Sequence, residues 1–308
     1  LRSTSENSML KDFSKYCGLG VFENILSYSK DKYLKLFSGF DVVHSHGYYP
    51  DKLVSKLKID IKKISTIHCM FYKDYPKEYG YLKGILGAYL HYNMFKKNNF
   101  SSIVCCSDSV KKSFLTYVNH HDVFSINNGV DHFKFNQLIS DDEENLKKEL
   151  KISDSKRVFL YSGRLIRRKR VPELIDYFNK KSRKSDILLI LGDGPEIDLC
   201  KKKAIFGNII FLGNVDKPER YYKISDFVIS MSSAEGYPMS IVEAVSSGCY
   251  ALLSENESHL EFVQKNHDLS CIIDFNSELP EKECYSKFDK YHLSSKFMAS
   301  KYIDIYQG

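Results

Sequence analysis

The chain has 308 residues, of which 43% are hydrophobic and 27% charged, with a formal net charge of +6. That length suits roughly two ordinary domains, with cores that need no disulfide staples. No arginine-rich tract accompanies the charge, which argues against a nucleic-acid binder, and no apolar run approaches the roughly 18 residues of a membrane helix.

The eight cysteines (17, 69, 105, 106, 200, 249, 271 and 284) include no CxxC pair. They read as reduced, mostly buried thiols of a cytoplasmic protein. The ten histidines include no HExxH, so no protein-bound metal is expected. The positive balance suits phosphate-bearing ligands or an anionic membrane surface.

In chain order, DVVHSH (41–46), ISTIH (64–68), SSIVCCS (101–107) and VFSIN (123–127) read as buried strands. Segments 51–57, 81–97 and 108–118 read as the helices between them. The acidic stretch 140–156 divides this series from a second one. There the predicted strands are 157–163, 186–192, 208–213, 226–230 and 250–254. The predicted helices are 172–180, 195–203, 218–224 and 238–246, each opening at a proline. Segment 292–306 reads as one more helix. Buried strands alternating with helices mean parallel sheets. The expected fold class is α/β: two doubly wound, Rossmann-like domains facing each other across a cleft.

Several strand-to-helix turns carry candidate chemistry. AEGYPMSIVEAVSSG (234–248) opens a helix whose first amides, those of Tyr237, Met239 and Ser240, would suit a diphosphate. Glu235 and Glu243, with seven residues between them, could reach sugar or ribose hydroxyls. By spacing alone, a surface glutamate plus a glutamate near a helix cap explains the pair equally well. SGRLIRRKR (162–170) sends Arg164 and Lys169 from a strand's carboxyl edge, where open α/β sheets bind ligands. Arg167, Arg168 and Arg170 read as a solvated basic loop. The glycines of LGDGPEID (191–198), at 192 and 194, allow close backbone approach to a ligand but also simply make a tight turn. FLGNVD (211–216) could hold a base edge through its backbone.

Taken together, GRL-x-x-x-K, then GDGPE, then FLGNV, then S-x-x-EGYP-x-x-x-x-EA resemble the retaining GT-B glycosyltransferases. That large family, the glycosyl transferases of group 1, includes glycogen synthases and lipid-linked-saccharide transferases. The resemblance runs from about Asp41 to Gly308. It implies a GT-B fold and a nucleoside-diphosphate sugar, UDP-linked for preference, as donor, with no further cofactor and no metal. It implies that Arg164 and Lys169 hold the diphosphate and that Glu243 binds the ribose. Glu235 would contact the transferred sugar, with the stretch Gly236, Tyr237, Pro238, Met239 and Ser240 holding phosphate and sugar. Gly192, Gly213, Asn214 and Val215 complete the implied donor site. Arg170 departs from the family, which usually has glycine there.

On the acceptor side, His46 and His68 end strands and face the presumed cleft. A structurally satisfied histidine is the ordinary alternative for either. The resemblance implies that His68, in the family's TxHG-like turn, approaches the reaction centre, although Cys69 replaces the usual glycine or aspartate. His44 is expected to lie within its strand. Ser107 and Asn128 match further family turns and could line the cleft or cap structure. The Tyr- and Lys-dense segment 72–97 suits an interfacial surface or a lipid-linked acceptor, or simply a solvated helix with half-buried tyrosines.

The domain boundaries expected are 1–138 (acceptor side), 139–290 (nucleotide-sugar side) and 291–308, a helix packing back on the first domain. The family has strands and a glycine-rich loop ahead of DVVHSHG, whereas only CGLGVFE (17–23) stands out there, so the first domain is expected to be incomplete at its start. The function implied is retaining, metal-independent hexosyl transfer to a saccharide or lipid-linked saccharide in cell-surface polysaccharide synthesis, such as lipopolysaccharide. The place implied is the cytoplasm, with peripheral association with an anionic membrane. A non-catalytic partner subunit and a sugar-nucleotide epimerase are the competing classes.

Overall fold

A computed structural model describes residues 35–97, 99–135, 141–281 and 290–308. CGLGVFE, Cys17 and Cys284 lie outside these residues. The first sheet contains β1 (Val42–His46), β2 (Lys62–Ile67), β3 (Ser102–Cys105) and β4 (Val123–Ser125), parallel and in that order. Its helices are α1 (Tyr48–Val54), α2 (Phe71–Tyr79), α3 (Tyr81–Phe95) and α4 (Asp108–Leu115). Two further helices, α5 (His132–Phe135) and α6 (Asp141–Glu149), lead into the second series.

That series runs β5 (Val158–Ser162), α7 (Val171–Lys181), β6 (Ile187–Leu191), α8 (Ile197–Lys203), β7 (Ile209–Gly213) and α9 (Pro218–Lys223). It continues with β8 (Phe227–Ser230), α10 (Met239–Ser246), β9 (Tyr250–Leu253), α11 (Glu257–Lys265) and β10 (Ser270–Ile272), and α12 (Ser295–Gln307) closes the chain. The strands are parallel in the order β7-β6-β5-β8-β9-β10. Such an order reverses direction between β5 and β8, and that crevice is where doubly wound sheets bind ligands. ILLIL in β6 is buried along its whole length because helices cover both faces.

All nine expected strands are present. The expected helices differ at their starts. Only α9 begins at its proline; Pro172 is the second residue of α7, Pro195 stands two residues ahead of α8, and Pro238 caps α10. The acidic divider is itself partly helical, as α6. The helix α2 was not expected, because it contains Pro76. It ends at Gly80 (φ 85°), and α3 then doubles back. A Cβ on Gly84 would lie 2.3 Å from the Pro76 nitrogen, so only glycine lets the two helices cross this closely.

Beneath this hairpin lies a polar network. Asp51 is fully buried, and its Oδ1 accepts from Ser45 Oγ (2.6 Å) and Ser65 Oγ (2.7 Å). Its Oδ2 is 2.9 Å from His91 Nε2, and His91 Nδ1 is 2.8 Å from the Tyr75 hydroxyl. The network joins β1, β2, α1, α2 and α3.

The two domains meet through their helices. Glu261 of α11 accepts from the amides of Asp108 (2.9 Å) and Ser109 (2.8 Å), capping α4 of the first domain. Lys265 bonds both Glu261 and Asp108 at 2.7 Å. The helix α12 returns to the first sheet, where Ile305, Met298 and Tyr302 pack with Ile64, Val104 and Ile126.

Candidate active site

The site gathers at the crevice between β5 and β8. After β5 the chain forms a 3-10 turn, Arg167–Lys169, ending at Arg170 in the left-handed region (φ 53°, ψ 40°). Few residues other than glycine adopt this conformation readily, which gives a physical reason for the family's glycine here. Arg170 lies over the Phe275 ring at 5.1 Å. The turn directs Lys169 and Arg168 toward the loop after β8. Lys169 Nζ donates to Glu235 Oε1 at 2.5 Å, and Arg168 Nη1 lies 3.2 Å from Glu235 Oε2 and 2.5 Å from the Ala234 carbonyl. Arg168 therefore does not belong to a solvated loop. Its guanidinium is largely covered, and its own carbonyl accepts from the Ser233 amide at 2.9 Å. Arg167 is exposed, as the sequence reading expects.

Glu235 is 8% exposed. Burial by itself would raise its pKa, but the Lys169 and Arg168 cations outweigh this and hold it below the usual carboxylate value. Arg164 is differently disposed. It forms a two-point pair with Glu78 of α2 at 3.0 and 3.3 Å, bridging the two domains from an exposed position.

The helix α10 starts at Met239, with Pro238 as its cap. Of the three amides expected to be open, that of Met239 donates to the Tyr237 carbonyl at 3.0 Å. Those of Tyr237 and Ser240 have no acceptor among the described residues. Glu243 is one turn further on. The buried Tyr222 hydroxyl donates to its Oε2 at 2.9 Å and lies 3.0 Å from Ser162 Oγ. Burial raises the Glu243 pKa, opposed by Tyr222 and by Lys134. Sequence reasoning passed over Tyr222, which has only its place opposite Glu243 to mark it.

Gly236 is where the domains come closest. A Cβ there would sit 1.8 Å from the His68 carbonyl oxygen, and the Gly236 carbonyl accepts from Ser107 Oγ at 2.8 Å. Ser107 Oγ also accepts from the Val110 amide, so one hydroxyl caps α4 and fastens the loop. Tyr237 packs against the cores of both domains. Gly192 (φ 118°) and Gly194 face the Gly163 and Leu165 carbonyls at Cβ distances of 2.0 and 2.4 Å, so tight packing of adjacent turns already requires both glycines. The Gly213 carbonyl accepts from the Gly192 amide at 2.7 Å, and the exposed Asn214 and half-buried Val215 follow.

Across the cleft, His46 Nδ1 and His68 Nε2 are 2.9 Å apart. His44 stacks on His46 and reaches Thr66 and Tyr306, each at 2.7 Å. Burial pushes all three histidines down, His44 to about 4. Burial also pushes the Cys69 thiol up, which disfavours a reactive thiolate beside His68. Buried His259, with Nδ1 2.8 Å from the Ser254 carbonyl, is likewise held down to about 4. An unfolded histidine protonates near 6.5, so between 6.5 and about 4 the unfolded chain binds protons that folded His44 and His259 refuse. The thermal midpoint should therefore fall across that window on acidification, by on the order of 5 °C. A midpoint that holds or rises in a calorimetric pH series would contradict this.

Among the described residues no helix is long and apolar enough to cross a membrane, and no group of three or more His, Cys, Asp or Glu is placed to hold a metal. Tyr81, Leu82, Leu86, Tyr89 and Leu90 of α3 are all exposed.

This architecture has known counterparts. Residues 142–279 match the family model described as glycosyl transferases group 1, and residues 24–133 match that of glycosyltransferase family 4. The chain is 26% identical over 294 residues to the O-antigen biosynthesis glycosyltransferase WclY of Escherichia coli, covering 87% of this chain and 79% of the relative. It is 25% identical over 279 residues to the capsular polysaccharide biosynthesis glycosyltransferase CapH of Staphylococcus aureus, covering 84% and 71%. Among solved structures, Anabaena Alr3699/HepE in complex with UDP and glucose superposes with a TM-score of 0.76 at 14% identity, over 91% of this chain and 81% of that one. A glycosyltransferase from Rickettsia africae superposes with a TM-score of 0.74 at 16% identity, over 98% and 88%. The fold is GT-B, and the chain belongs to the glycosyl transferases of group 1.

Proposed function

We propose that this glycosyltransferase moves a sugar from a nucleoside-diphosphate donor, UDP-linked for preference, to an acceptor hydroxyl with retention of anomeric configuration. The observation that carries the reading is the convergence of Lys169 and Arg168 on Glu235 at the sheet's switch point. Cations at that crevice would take up negative charge growing on a leaving diphosphate, without a metal ion. Glu235 would receive hydroxyls of the transferred sugar, Glu243 those of the ribose, and the Tyr237 and Ser240 amides phosphate oxygens. Arg164 would join the diphosphate by leaving Glu78. His68, held by His46, would face the acceptor. The UDP and glucose bound by the Anabaena protein favour a UDP-sugar. The printed roles of WclY and CapH favour a saccharide acceptor in cell-surface polysaccharide synthesis. The exposed apolar face of α3 would suit a lipid-linked acceptor at the cytoplasmic surface of an anionic membrane.

Screening UDP-, GDP- and ADP-sugars for thermal stabilisation tests the donor reading, since a bound donor raises the midpoint. UDP-sugars should stabilise, and no stabilisation by any of them would remove the reading. Transfer should persist in EDTA and give a product with the donor's anomeric configuration; an inverted anomer by NMR would remove retention. Flotation with anionic vesicles should carry the protein upward, and protein left in the pellet would remove the membrane association.

A further inference from the structure

Two cations on one carboxylate raise the question of which of them is free to serve a second anion. Their surroundings differ. Arg168 Nη1 bonds both Glu235 Oε2 and the Ala234 carbonyl, and the Arg168 carbonyl receives the Ser233 amide, so both ends of this residue are tied to the loop after β8. Among the described residues Glu235 is the sole partner of the Lys169 ammonium. A lysine ammonium sits on a flexible four-carbon stem and can turn between acceptors, whereas a guanidinium fork is fixed by its plane. A buried carboxylate stripped of every cation is strongly unfavourable, so Lys169 can leave Glu235 only if another cation stays.

We infer that Arg168 is the permanent counter-ion of Glu235, and that this frees Lys169 to exchange from Glu235 to the donor's diphosphate. The inference rests on the donor reading above and gives Arg168, a variable position of the GRL-x-x-x-K turn, a positioning role distinct from that of Lys169. Glu235 then never faces the incoming diphosphate as a bare charge. While Lys169 serves the phosphate oxygens, Arg168 holds the Glu235 carboxylate in place.

The test uses Arg168→Gln, which removes the charge and keeps a polar side chain. UDP, GDP and ADP are titrated calorimetrically, and the tightest binder to the wild-type chain is carried forward. In Arg168→Gln, Lys169 stays on Glu235 and the dissociation constant rises at least about tenfold. In Arg168→Gln combined with Glu235→Gln there is no carboxylate to hold Lys169, and binding returns to within about threefold of wild type. A structural defect at residue 168 would not be repaired by removing a charge at 235. Wild-type affinity in Arg168→Gln, or equal losses in the single and double variants, would overturn the inference while leaving the donor reading intact. Failure of the wild-type chain to bind any of the three nucleotides would instead overturn the donor reading, and the exchange with it. Should Arg168→Gln not fold, Arg168→Met replaces it; that side chain likewise removes the charge while keeping an unbranched stem, and the same rescue by Glu235→Gln is required.

Discussion

Lys169→Ala lowers kcat/KM for the donor sugar about 10³-fold, or about 4 kcal/mol of transition-state stabilisation. The lysine sits in a low-dielectric crevice with its ammonium 2.5 Å from Glu235, where a charge is worth far more than in water. On the proposed mechanism it meets the diphosphate as negative charge builds during departure, so kcat falls and not only donor affinity. The fold should persist, because Arg168 still neutralises Glu235. Steady-state kinetics with the stabilising donor, together with a thermal midpoint close to wild type, would establish the result. Wild-type turnover in the variant would refute the pocket assignment.

Asp51→Ala should cost about 3–5 kcal/mol of stability. The carboxylate is fully buried and is the shared acceptor of Ser45, Ser65 and His91. Alanine leaves Ser65 and His91 without this acceptor and Ser45 with only the Ile64 carbonyl at 3.3 Å, and opens a small void where β1, β2, α1 and α3 meet. His91 cannot turn to solvent for compensation, since it is stacked on Phe71 at 4.0 Å between ring centroids and bonded to Tyr75. Urea unfolding should show the midpoint lowered with the slope unchanged. A cost below about 1 kcal/mol would mean the network is not the strut it resembles. Because Ser45 and Ser65 precede His46 and neighbour Thr66, loss of the strut should also loosen the strand ends that present His46 and His68.

Much of the fold was legible along the chain. Continuous apolar runs such as ILLIL can only be strands buried on both faces, and their alternation with amphipathic segments leaves few arrangements other than parallel sheets. The elements passed over were those whose local signals conflict with their state. The helix α2 carries an internal proline, β10 has three residues, and α11 follows a polar stretch with no proline to announce it.

Glu235, Glu243 and Lys169 could be named as candidates from order and spacing, because Glu235 and Lys169 lie at strand-to-helix turns, Glu243 lies one turn into the helix that follows, and the carboxyl ends of parallel strands converge. What each one touches could not be read that way. Arg167, Arg168 and Lys169 are consecutive cations, and in a 3-10 turn successive side chains point about 120° apart. The packing of the whole turn against the loop after β8 decides that Arg168 and Lys169 face Glu235 while Arg167 faces water. Likewise Arg164 meets Glu78, and Asp51 meets His91, across separations of 86 and 40 residues that no local pattern encodes. Periodicity and turn chemistry act within a few residues, so the sequence by itself determined the two sheets and the crevice at which function resides. Charge pairing acts through space, so only the tertiary structure decided which cations meet Glu235 and which face water.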